Sequence, residues 1–267
     1  MVPIALTIAG SDSGGGAGIQ ADLKTFSALG VYGASVITAL TAQNTRGVAM
    51  VEAASPAMIA AQMDAVFSDL AVGAVKLGML GDARAIAVVA EGLAAQAVPV
   101  VLDPVMVAKS GDRLLPEAAL EALRNLLLPR ATLLTPNIPE AADLLGTTPA
   151  RDEAGMLEQG HALRALGAQA VLMKGGHGTG AECVDLLIEG SGVTRLTAPR
   201  QSTRHTHGTG CTLSAAIAAG LAQGMALRDA VARAHGYLQG AIAAADGLGV
   251  GQGIGPVHHF HGVWAHD

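Results

Sequence analysis

Short apolar runs alternate with amphipathic segments along most of the chain. Runs without polar alternation are typical of parallel strands that are buried on both faces. Six such runs lie at 4–8, 31–40, 74–79, 98–102, 132–134 and 170–173. Apolar residues recur at helical spacing in 17–29, 55–70, 82–96, 116–127, 153–166, 208–223 and 227–245. This alternation predicts an α/β fold with an open, mostly parallel central sheet and helices on both faces.

Two strands joined directly by a short turn are predicted near residue 190. The segments 182–188 and 193–198 have strand composition, and the polar turn 189–192 joins them. No internal repeat, low-complexity tract or linker interrupts the sequence, so it predicts one domain over residues 1–267. In open sheets of this kind, ligands bind beyond the carboxyl ends of the strands.

Composition and charge argue against some classes of binding partner. The chain has 16 Lys and Arg against 22 Asp and Glu, with a net charge of -6, and no basic cluster marks a nucleic-acid surface. Two cysteines, Cys183 and Cys211, are too few for a disulfide framework and favour a reducing compartment. The charge-free runs 25–45 and 206–227 are broken by polar residues, and the first positive side chain is Lys24. We therefore expect a cytoplasmic protein with neither a membrane nor a nucleic acid as partner.

The glycine turn at 208–210 is the feature that points most directly to chemistry. It leads straight into an alanine-rich helical segment, and the free N–H groups and dipole of a helix N-terminus attract an anion. Gly208, Thr209 and Gly210 are therefore candidates for holding a phosphate. Cys211 would lie in the same positive field, which predicts a lowered pKa and some thiolate character. The alternative is an ordinary loop in which Cys211 is a small buried apolar residue.

Several segments together resemble one enzyme family. They are TIAGSDS (7–13), GGAGIQADLKT (15–25), AQNT (42–45), KLGML (76–80), DPVM (103–106), TPN (135–137), MKGGH (173–177), GTGC (208–211) and GIGPVHHFH (253–261). In this order and spacing they resemble the thiamine-pathway branch of the ribokinase-like superfamily, the hydroxymethylpyrimidine and phosphomethylpyrimidine kinases. The resemblance covers nearly the whole chain.

The resemblance implies an activity and its reactants. Members of this branch use ATP and Mg²⁺ to phosphorylate 4-amino-5-hydroxymethyl-2-methylpyrimidine and then its monophosphate, which gives a diphosphate for thiamine assembly. A ribokinase-like fold and a homodimer are implied as well. The Gly-Thr-Gly-Cys turn stands where other superfamily members carry Gly-Ala-Gly-Asp, with the aspartate as base. Only the alcohol acceptor needs a base, so Cys211 is either a base for that step or a part of the anion site alone.

The resemblance also assigns the site residues in two groups. The pyrimidine pocket would be formed by Gly10, Ala17, Gln43, Met79 and Val105, together with Cys211. Gln43 suits an aminopyrimidine edge because a carboxamide both donates and accepts hydrogen bonds. ATP and Mg²⁺ would be bound by Asp103, Asn137, Glu140, Lys174 and Thr206, with Glu140 reaching the metal through water.

Two details of this assignment stay open in the sequence. Ile138 replaces a proline that is common in the Asn-Pro-x-Glu element of the wider superfamily, which predicts a slightly different backbone route to Glu140. The segment 109–112 is a candidate lid because it follows a strand and combines glycine with polar residues.

Other functions fit fewer of the residues. The segment 16–21 matches a GxGxxA dinucleotide fingerprint, but no acidic residue occurs between Asp22 and Glu52 to bind a ribose. The chain has no Gly-Lys dipeptide, which excludes a Walker-type loop. His258, His259 and His261 indicate a docked C-terminal segment more than a metal site. A pyridoxal kinase, distinguished by the surroundings of Gln43, and a non-catalytic pyrimidine-binding protein remain the alternatives.

Overall fold

The computed structural model describes residues 1–106, 117–176 and 180–264. The strands are β1 (Ile4–Asp12), β2 (Tyr32–Asn44), β3 (Gly47–Ala53), β4 (Ala74–Leu77), β5 (Val100–Leu102), β6 (Leu133–Leu134), β7 (Val171–Met173), β8 (Glu182–Glu189) and β9 (Gly192–Pro199). The helices are α1 (Gly18–Ala28), α2 (Pro56–Phe67), α3 (Ala83–Ala94), α4 (Glu117–Ala122), α5 (Ile138–Leu145), α6 (Glu153–Ala165), α7 (Thr209–Ala222) and α8 (Leu227–Ala243). A π-helical turn, Leu123–Leu127, continues α4, and short 3-10 turns lie at Leu128–Arg130 and Ala245–Leu248.

The strands form one sheet in the order β3-β2-β1-β4-β5-β6-β7-β8-β9. The pairs from β2 through β7 are parallel, whereas β3, β8 and β9 pair with their neighbours in antiparallel fashion. The predicted open, mostly parallel α/β sheet is therefore confirmed. So is the predicted strand pair near residue 190, where β8 and β9 meet at a tight turn. The prediction of one domain over the whole chain stays a prediction.

The structure adds elements that the apolar pattern did not indicate. β3 was not predicted because it is an edge strand whose residues are mostly exposed, so it has no buried face to give a pattern. The short helix α5 was missed as well, because its start depends on side-chain capping by Asn137. The candidate lid 109–112 and the predicted helix start at Pro116 lie outside the described residues.

Helices cover the sheet on both faces with aliphatic side chains. One core cluster includes Ile59 of α2, Ile86 of α3 and Leu163 of α6. The other cluster joins α7 and α8 to the opposite face, with Phe26 of α1 fully buried in it. Residues 212–220 of α7 are all buried, and most of them are small. Small side chains let this helix lie close to the strands, which places its N-terminus at the carboxyl edge of the sheet.

A buried ion pair joins three of these elements beneath that edge. The Nζ atom of Lys76 on β4 lies 2.8 Å from Oδ2 of Asp22 on α1, and both side chains are fully buried. The hydroxyl of Thr7 on β1 donates to the same carboxylate oxygen over 2.6 Å. Burial lowers the pKa of Lys76, but the charge and hydrogen bond of Asp22, together with the other negative groups nearby such as Asp103, outweigh this effect and hold the pKa above its usual value. Lys76 is therefore a permanent cation inside the fold.

Removing Asp22 should destabilise the fold strongly. In Asp22→Ala the ammonium of Lys76 is left buried and unpaired, so we expect the free energy of unfolding to fall by about 3–5 kcal/mol. Urea denaturation followed by circular dichroism measures the change. Arg228→Ala is a matched control, because Arg228 and its partner Glu189 form a more exposed pair with N to O distance 3.0 Å. A loss in Asp22→Ala no larger than in this control would contradict the expectation.

Candidate active site

A cavity of about 670 Å³ opens at the carboxyl edge of the sheet. Every site residue assigned from the sequence lines it: Gly10, Ala17, Gln43, Met79, Asp103, Val105, Asn137, Glu140, Lys174, Thr206, Gly208, Thr209, Gly210 and Cys211. They come from seven separate stretches of the chain. The fold thus brings the whole predicted set together at one cavity.

The glycine turn forms the central part of this cavity. Gly208 has φ 81°, and a Cβ there would lie 1.9 Å from the carbonyl oxygen of Gly16, so only glycine fits without a shift. α7 begins at the next residue, Thr209, and its N-cap residue, Gly208, has no side chain that could cap the helix. The first N–H groups of a helix have no acceptor within the helix. The turn therefore offers backbone donors to an anion in the cavity.

A cation and two carboxylates face this turn. Lys174, which follows β7, places its Nζ atom 2.9 Å from Oδ1 of Asp103 and 3.9 Å from Oε2 of Glu140. Asp103 follows β5 and is almost fully buried, and it also accepts a hydrogen bond of 3.1 Å from the hydroxyl of Thr135. A Cβ on Gly210 would lie 3.5 Å from Nζ of Lys174. The ammonium and the helix N-terminus thus reach the same part of the cavity.

Glu140 is held by a reciprocal pair of hydrogen bonds at the start of α5. Its N–H donates to Oδ1 of Asn137 over 2.9 Å, and its Oε2 accepts from the N–H of Asn137 over 2.8 Å. The amide oxygen of Asn137 is thus engaged in capping, and Ile138 simply forms the first helical residue. Burial raises the pKa of Glu140 to about 7, Lys174 opposes that rise and Asp103 adds to it.

These carboxylates match what Mg²⁺ requires when it is bound mainly by nucleotide phosphates and water. Within residues 1–106, 117–176 and 180–264, no three His, Cys, Asp or Glu side chains are grouped so that they could hold a metal by themselves. Asp103 and Glu140 place carboxylate oxygens at one side of the cavity. A nearby cation would also favour the ionised form of Glu140. Asp103 and Glu140 therefore suit a metal ion that enters the cavity already bound to nucleotide phosphates.

The other end of the cavity is formed by smaller and less charged groups. The N–H of Gly10 donates to the carbonyl of Met79 over 3.1 Å, and a Cβ on Gly10 would lie 2.3 Å from Cε of Met79. The side chain of Met79 therefore packs directly on the backbone of Gly10. Gln43, close to the end of β2, projects its carboxamide between Thr41 and His207. This combination of apolar wall and single carboxamide suits a small aromatic ring.

Comparisons with known proteins agree on one family. The profile of the phosphomethylpyrimidine kinase family matches residues 12–258. The chain belongs to the phosphomethylpyrimidine kinase family. It is 61% identical over 264 residues to the hydroxymethylpyrimidine/phosphomethylpyrimidine kinase of Rhizobium meliloti, covering 99% of each chain. It is also 52% identical to the thiamine biosynthesis bifunctional protein ThiED of Geobacter sulfurreducens, where the match covers 95% of this chain and 51% of that longer protein.

Solved structures of two related activities share the fold. The ADP complex of Bacillus subtilis pyridoxal kinase has a TM-score of 0.90 and 37% identity, covering 97% of this chain and 98% of that one. A phosphomethylpyrimidine kinase from Clostridium difficile has a TM-score of 0.80 and 44% identity, covering 91% and 100%. The predicted family, the ribokinase-like fold and the enzyme class, a kinase, are thus confirmed. The pyridoxal kinases are relatives by structure, at lower identity than the kinases of the chain's own family.

The expectation of a lowered thiol pKa at Cys211 was wrong. Burial raises the pKa of Cys211 to about 11; Lys76 lowers it, whereas Asp22 and Asp103 raise it further. A helix N-terminus alone would lower this pKa, but the fold removes much of the thiol from water and brings two carboxylates near it. Cys211 is therefore a neutral thiol at neutral pH.

Several polar residues of the cavity were not assigned from the sequence, and three of them bear on the site. They are Asp12, Lys76 and His207. A lysine within the apolar run 74–79 did indicate a buried charge, because a cation in a covered strand requires a partner. The pairing of Asp12 with His207 left no such signal, since the two residues are 195 positions apart.

Two further expectations concern the C-terminus and membranes. His258 and His259 are buried, and the N–H of His258 donates to the carbonyl of Ala241 on α8 over 2.9 Å, so this segment is docked as predicted.

Among the described helices, none is both long and apolar enough to cross a membrane.

The reactivity of Cys211 should report its raised pKa. In a Cys183→Ser background, we expect alkylation of Cys211 by iodoacetamide to accelerate about tenfold per pH unit from pH 7 to 9.5 without a plateau, because only the thiolate reacts. Mass spectrometry of the modified peptide measures the rate, and Cys211→Ser in the same background gives the blank. A rate that levels off below pH 8.5 would show an acidic thiol instead.

Proposed function

We propose that this chain transfers the γ-phosphoryl group of ATP to 4-amino-5-hydroxymethyl-2-methylpyrimidine and then to its monophosphate. The product would be the diphosphate used in thiamine biosynthesis. One observation carries the proposal: the α7 N-terminus and Lys174 reach one part of a cavity whose other end offers Gln43 and an apolar wall. The names of the full-length relatives support the same pair of acceptors.

The nucleotide would occupy the part of the cavity beyond Lys174. That part is lined by Cys183, Pro199, Leu238 and Ile242, which form an apolar surface suited to a base. The ADP complex of the related pyridoxal kinase supports a nucleotide in a fold of this shape. The phosphate chain would then run toward Gly208–Cys211, with Thr206 beside it.

Charge neutralisation is the main contribution of the protein to phosphoryl transfer. Such reactions need little covalent help from side chains, and they depend on positioning and on donors aimed at the transferring group. The N–H groups of the turn and the ammonium of Lys174 supply these donors. Asp103 keeps Lys174 in place. Burial acts to lower the pKa of that ammonium, but the negative charges around it, Asp103 first and then Glu140, together raise the pKa above its usual value.

Mg²⁺ would be held by ATP phosphates, by Glu140 through water and by Asp103. When bound, it neutralises phosphate charge. Asn137 orients Glu140 through the capping hydrogen bonds and is not needed as a direct ligand.

Cys211 would accept the proton of the alcohol, and it would not be needed for the second acceptor. The monophosphate is already an anion at neutral pH, so no proton has to leave it. A thiol with a pKa of about 11 is seldom ionised at neutral pH. When it is ionised, it is a strong base next to the turn that binds the phosphoryl group.

We also propose that the protein is a cytoplasmic homodimer. Leu40 on β2 and Met50 on β3 are 56% and 63% exposed, and the strand register places them on the same face of this edge of the sheet. Two large apolar side chains on an exposed edge indicate a surface that a second copy covers. The two cysteines are free, which fits a reducing compartment. Sedimentation velocity of the purified chain tests the dimer.

The acceptor is tested by comparing three substrates side by side. We expect ADP release and, by mass spectrometry, diphosphate formation from hydroxymethylpyrimidine and from its monophosphate, with little turnover of pyridoxal. Gly210→Ala adds a methyl group 3.4 Å from Oδ2 of Asp103. The methyl group also lies 3.5 Å from Nζ of Lys174, in the space proposed for the phosphate. It should push the phosphate away from its donors and slow both pyrimidine reactions roughly 100-fold, the scale of one lost oxyanion donor.

Gly236→Ala is the matched control for that variant. Gly236 is exposed on α8, and nothing lies within 4 Å of an added Cβ, so its rates should equal those of the parent. Turnover of pyridoxal alone would assign the chain to pyridoxal phosphorylation, and an unchanged rate in folded Gly210→Ala would refute the anion site.

The role of Cys211 is tested by the pH dependence of the two reactions. Between pH 6 and 8.5, we expect kcat for the alcohol to rise with pH, because the thiolate fraction grows about tenfold per unit below the pKa. The monophosphate reaction should lack this rise. Cys211→Ala should remove the rise and slow the alcohol reaction more than the monophosphate reaction. Equal losses for both acceptors would leave Cys211 without a role as base.

A further inference from the structure

The carboxamide of Gln43 lies between two groups whose proton positions are fixed by other partners. Its Oε1 position is 3.2 Å from Oγ1 of Thr41, and its Nε2 position is 3.4 Å from Nε2 of His207. Whether these contacts are attractive depends on where the protons of Thr41 and His207 point. The neighbouring acceptors fix both proton positions.

Thr41 has a single hydroxyl proton, and a backbone carbonyl takes it. The Oγ1 atom of Thr41 lies 2.8 Å from the carbonyl oxygen of Ser11, which can only accept. The hydroxyl must therefore donate to Ser11, since otherwise two oxygen lone pairs would face each other at that distance. Toward Gln43, Thr41 offers only lone pairs and needs a donor.

His207 has its Nε2 proton fixed by Asp12. The two atoms, Nε2 of His207 and Oδ2 of Asp12, lie 2.9 Å apart. The same Asp12 carboxylate accepts from the N–H groups of Gly14, Gly16 and Ala17 over 2.8, 3.0 and 2.8 Å. Burial raises the pKa of Asp12, but the hydrogen bond and charge of His207 and the N–H donors outweigh burial and hold the pKa below its usual value.

Asp12 is therefore an ionised acceptor with no proton to give. Its hydrogen bond to His207 requires a proton on Nε2, whether the ring is neutral or charged. A protonated Nε2 has no lone pair to accept an N–H of Gln43, and its one proton serves Asp12 at the shorter distance. Toward Gln43, His207 can therefore only share that proton with an acceptor, as the longer branch of a bifurcated hydrogen bond.

Both neighbours thus require the same orientation of Gln43. A carboxamide turned by half a turn exchanges Oε1 and Nε2 with almost no change of shape. In that orientation an N–H of Gln43 donates to Thr41, and its carbonyl accepts the longer branch of the bond that His207 donates mainly to Asp12. The opposite orientation places a donor against a donor and an acceptor against an acceptor.

We infer that His207, held by Asp12, is a positioning residue that fixes which way the Gln43 carboxamide faces the acceptor. After the bonds to Thr41 and His207, Gln43 keeps one N–H donor and one carbonyl lone pair. An aminopyrimidine edge places an amino donor beside a ring-nitrogen acceptor. Its partner must therefore offer one acceptor and one donor side by side. Only the identification of the acceptor as an aminopyrimidine rests on the proposed function.

The orientation of Gln43 decides where the reacting hydroxyl group lies. The donor and acceptor of the carboxamide have a fixed order along the pocket, so the amino group and ring nitrogen of the pyrimidine must follow that order. The hydroxymethyl group is next to the amino group on the ring. Reversing the carboxamide would turn the ring over and carry the hydroxymethyl group away from Gly208, the residue that follows His207.

Nuclear magnetic resonance of the unliganded protein tests the orientation without any assumption about the substrate. With ¹⁵N labelling, we expect His207 to carry a proton on Nε2, and the amide protons of Gln43 to show nuclear Overhauser contacts to Thr41 rather than to the imidazole carbon protons. Stronger contacts to His207, or equal contacts from a freely rotating amide, would overturn the inference.

Kinetics of two variants then test the consequence for the acceptor. His207→Phe keeps a planar ring without a donor, and His207→Gln restores an N–H donor of similar reach. We expect His207→Phe to lower kcat/KM for hydroxymethylpyrimidine about tenfold, the usual scale of one lost hydrogen bond, with the KM for ATP unchanged. His207→Gln should recover most of the loss.

A merely structural role would give a different result. It would impair both variants equally, or raise the KM for ATP, and either outcome overturns the inference, as does an unimpaired His207→Phe. His161→Phe is the matched control, because His161 is an exposed residue of α6. If the parent protein fails to phosphorylate the pyrimidine, the proposed function fails, but the resonance experiment still decides the orientation of Gln43.

Discussion

The close packing of α7 against the sheet is the constraint on which the site depends. Residues 212–220 of this helix are buried without interruption, and alanines dominate the contact. A helix with bulky residues on that face would stand farther from the strands. Its N-terminus would then lie away from Lys174 and Asp103, and the cavity would lose its donors. The close approach of Gly208 to Gly16 extends the same close packing into the turn before α7.

Two buried carboxylates organise the edge of the sheet on either side of that turn. Asp12 binds the glycine loop and His207, and Asp103 binds Lys174, Thr135 and Ser214. Each carboxylate joins segments that are far apart in sequence. Buried charged groups add little net stability, because the loss of their hydration offsets most of the attraction. Their effect here is to fix geometry, which is what phosphoryl transfer requires.

The sequence was a good guide wherever local pattern determines structure. Parallel strands, the hairpin of β8 and β9 and the start of α7 follow from apolar runs and glycine turns, and the resemblance placed every assigned residue on the cavity. It was a poor guide where the outcome depends on partners that only the fold supplies. The pKa of Cys211 depends on Asp22 and Asp103, which are distant in sequence. The edge strand β3 has no buried face, and the bond from His207 to Asp12 has no counterpart in local spacing.

A neutral thiol at position 211 suits the second acceptor better than a carboxylate would. The cavity already holds Asp103 and Glu140, and Asp22 lies beneath it. An aspartate at position 211, as in the wider superfamily, would add another negative charge beside the phosphates of ATP. Like charges at close range repel strongly where water is excluded, and an acceptor monophosphate would bring still more charge. Burial keeps the Cys211 thiol uncharged in most molecules, and only its small ionised fraction could take a proton from the alcohol. On the proposed function, the same site would accept first an uncharged alcohol and then an anion, with the backbone N–H groups and Lys174 serving both.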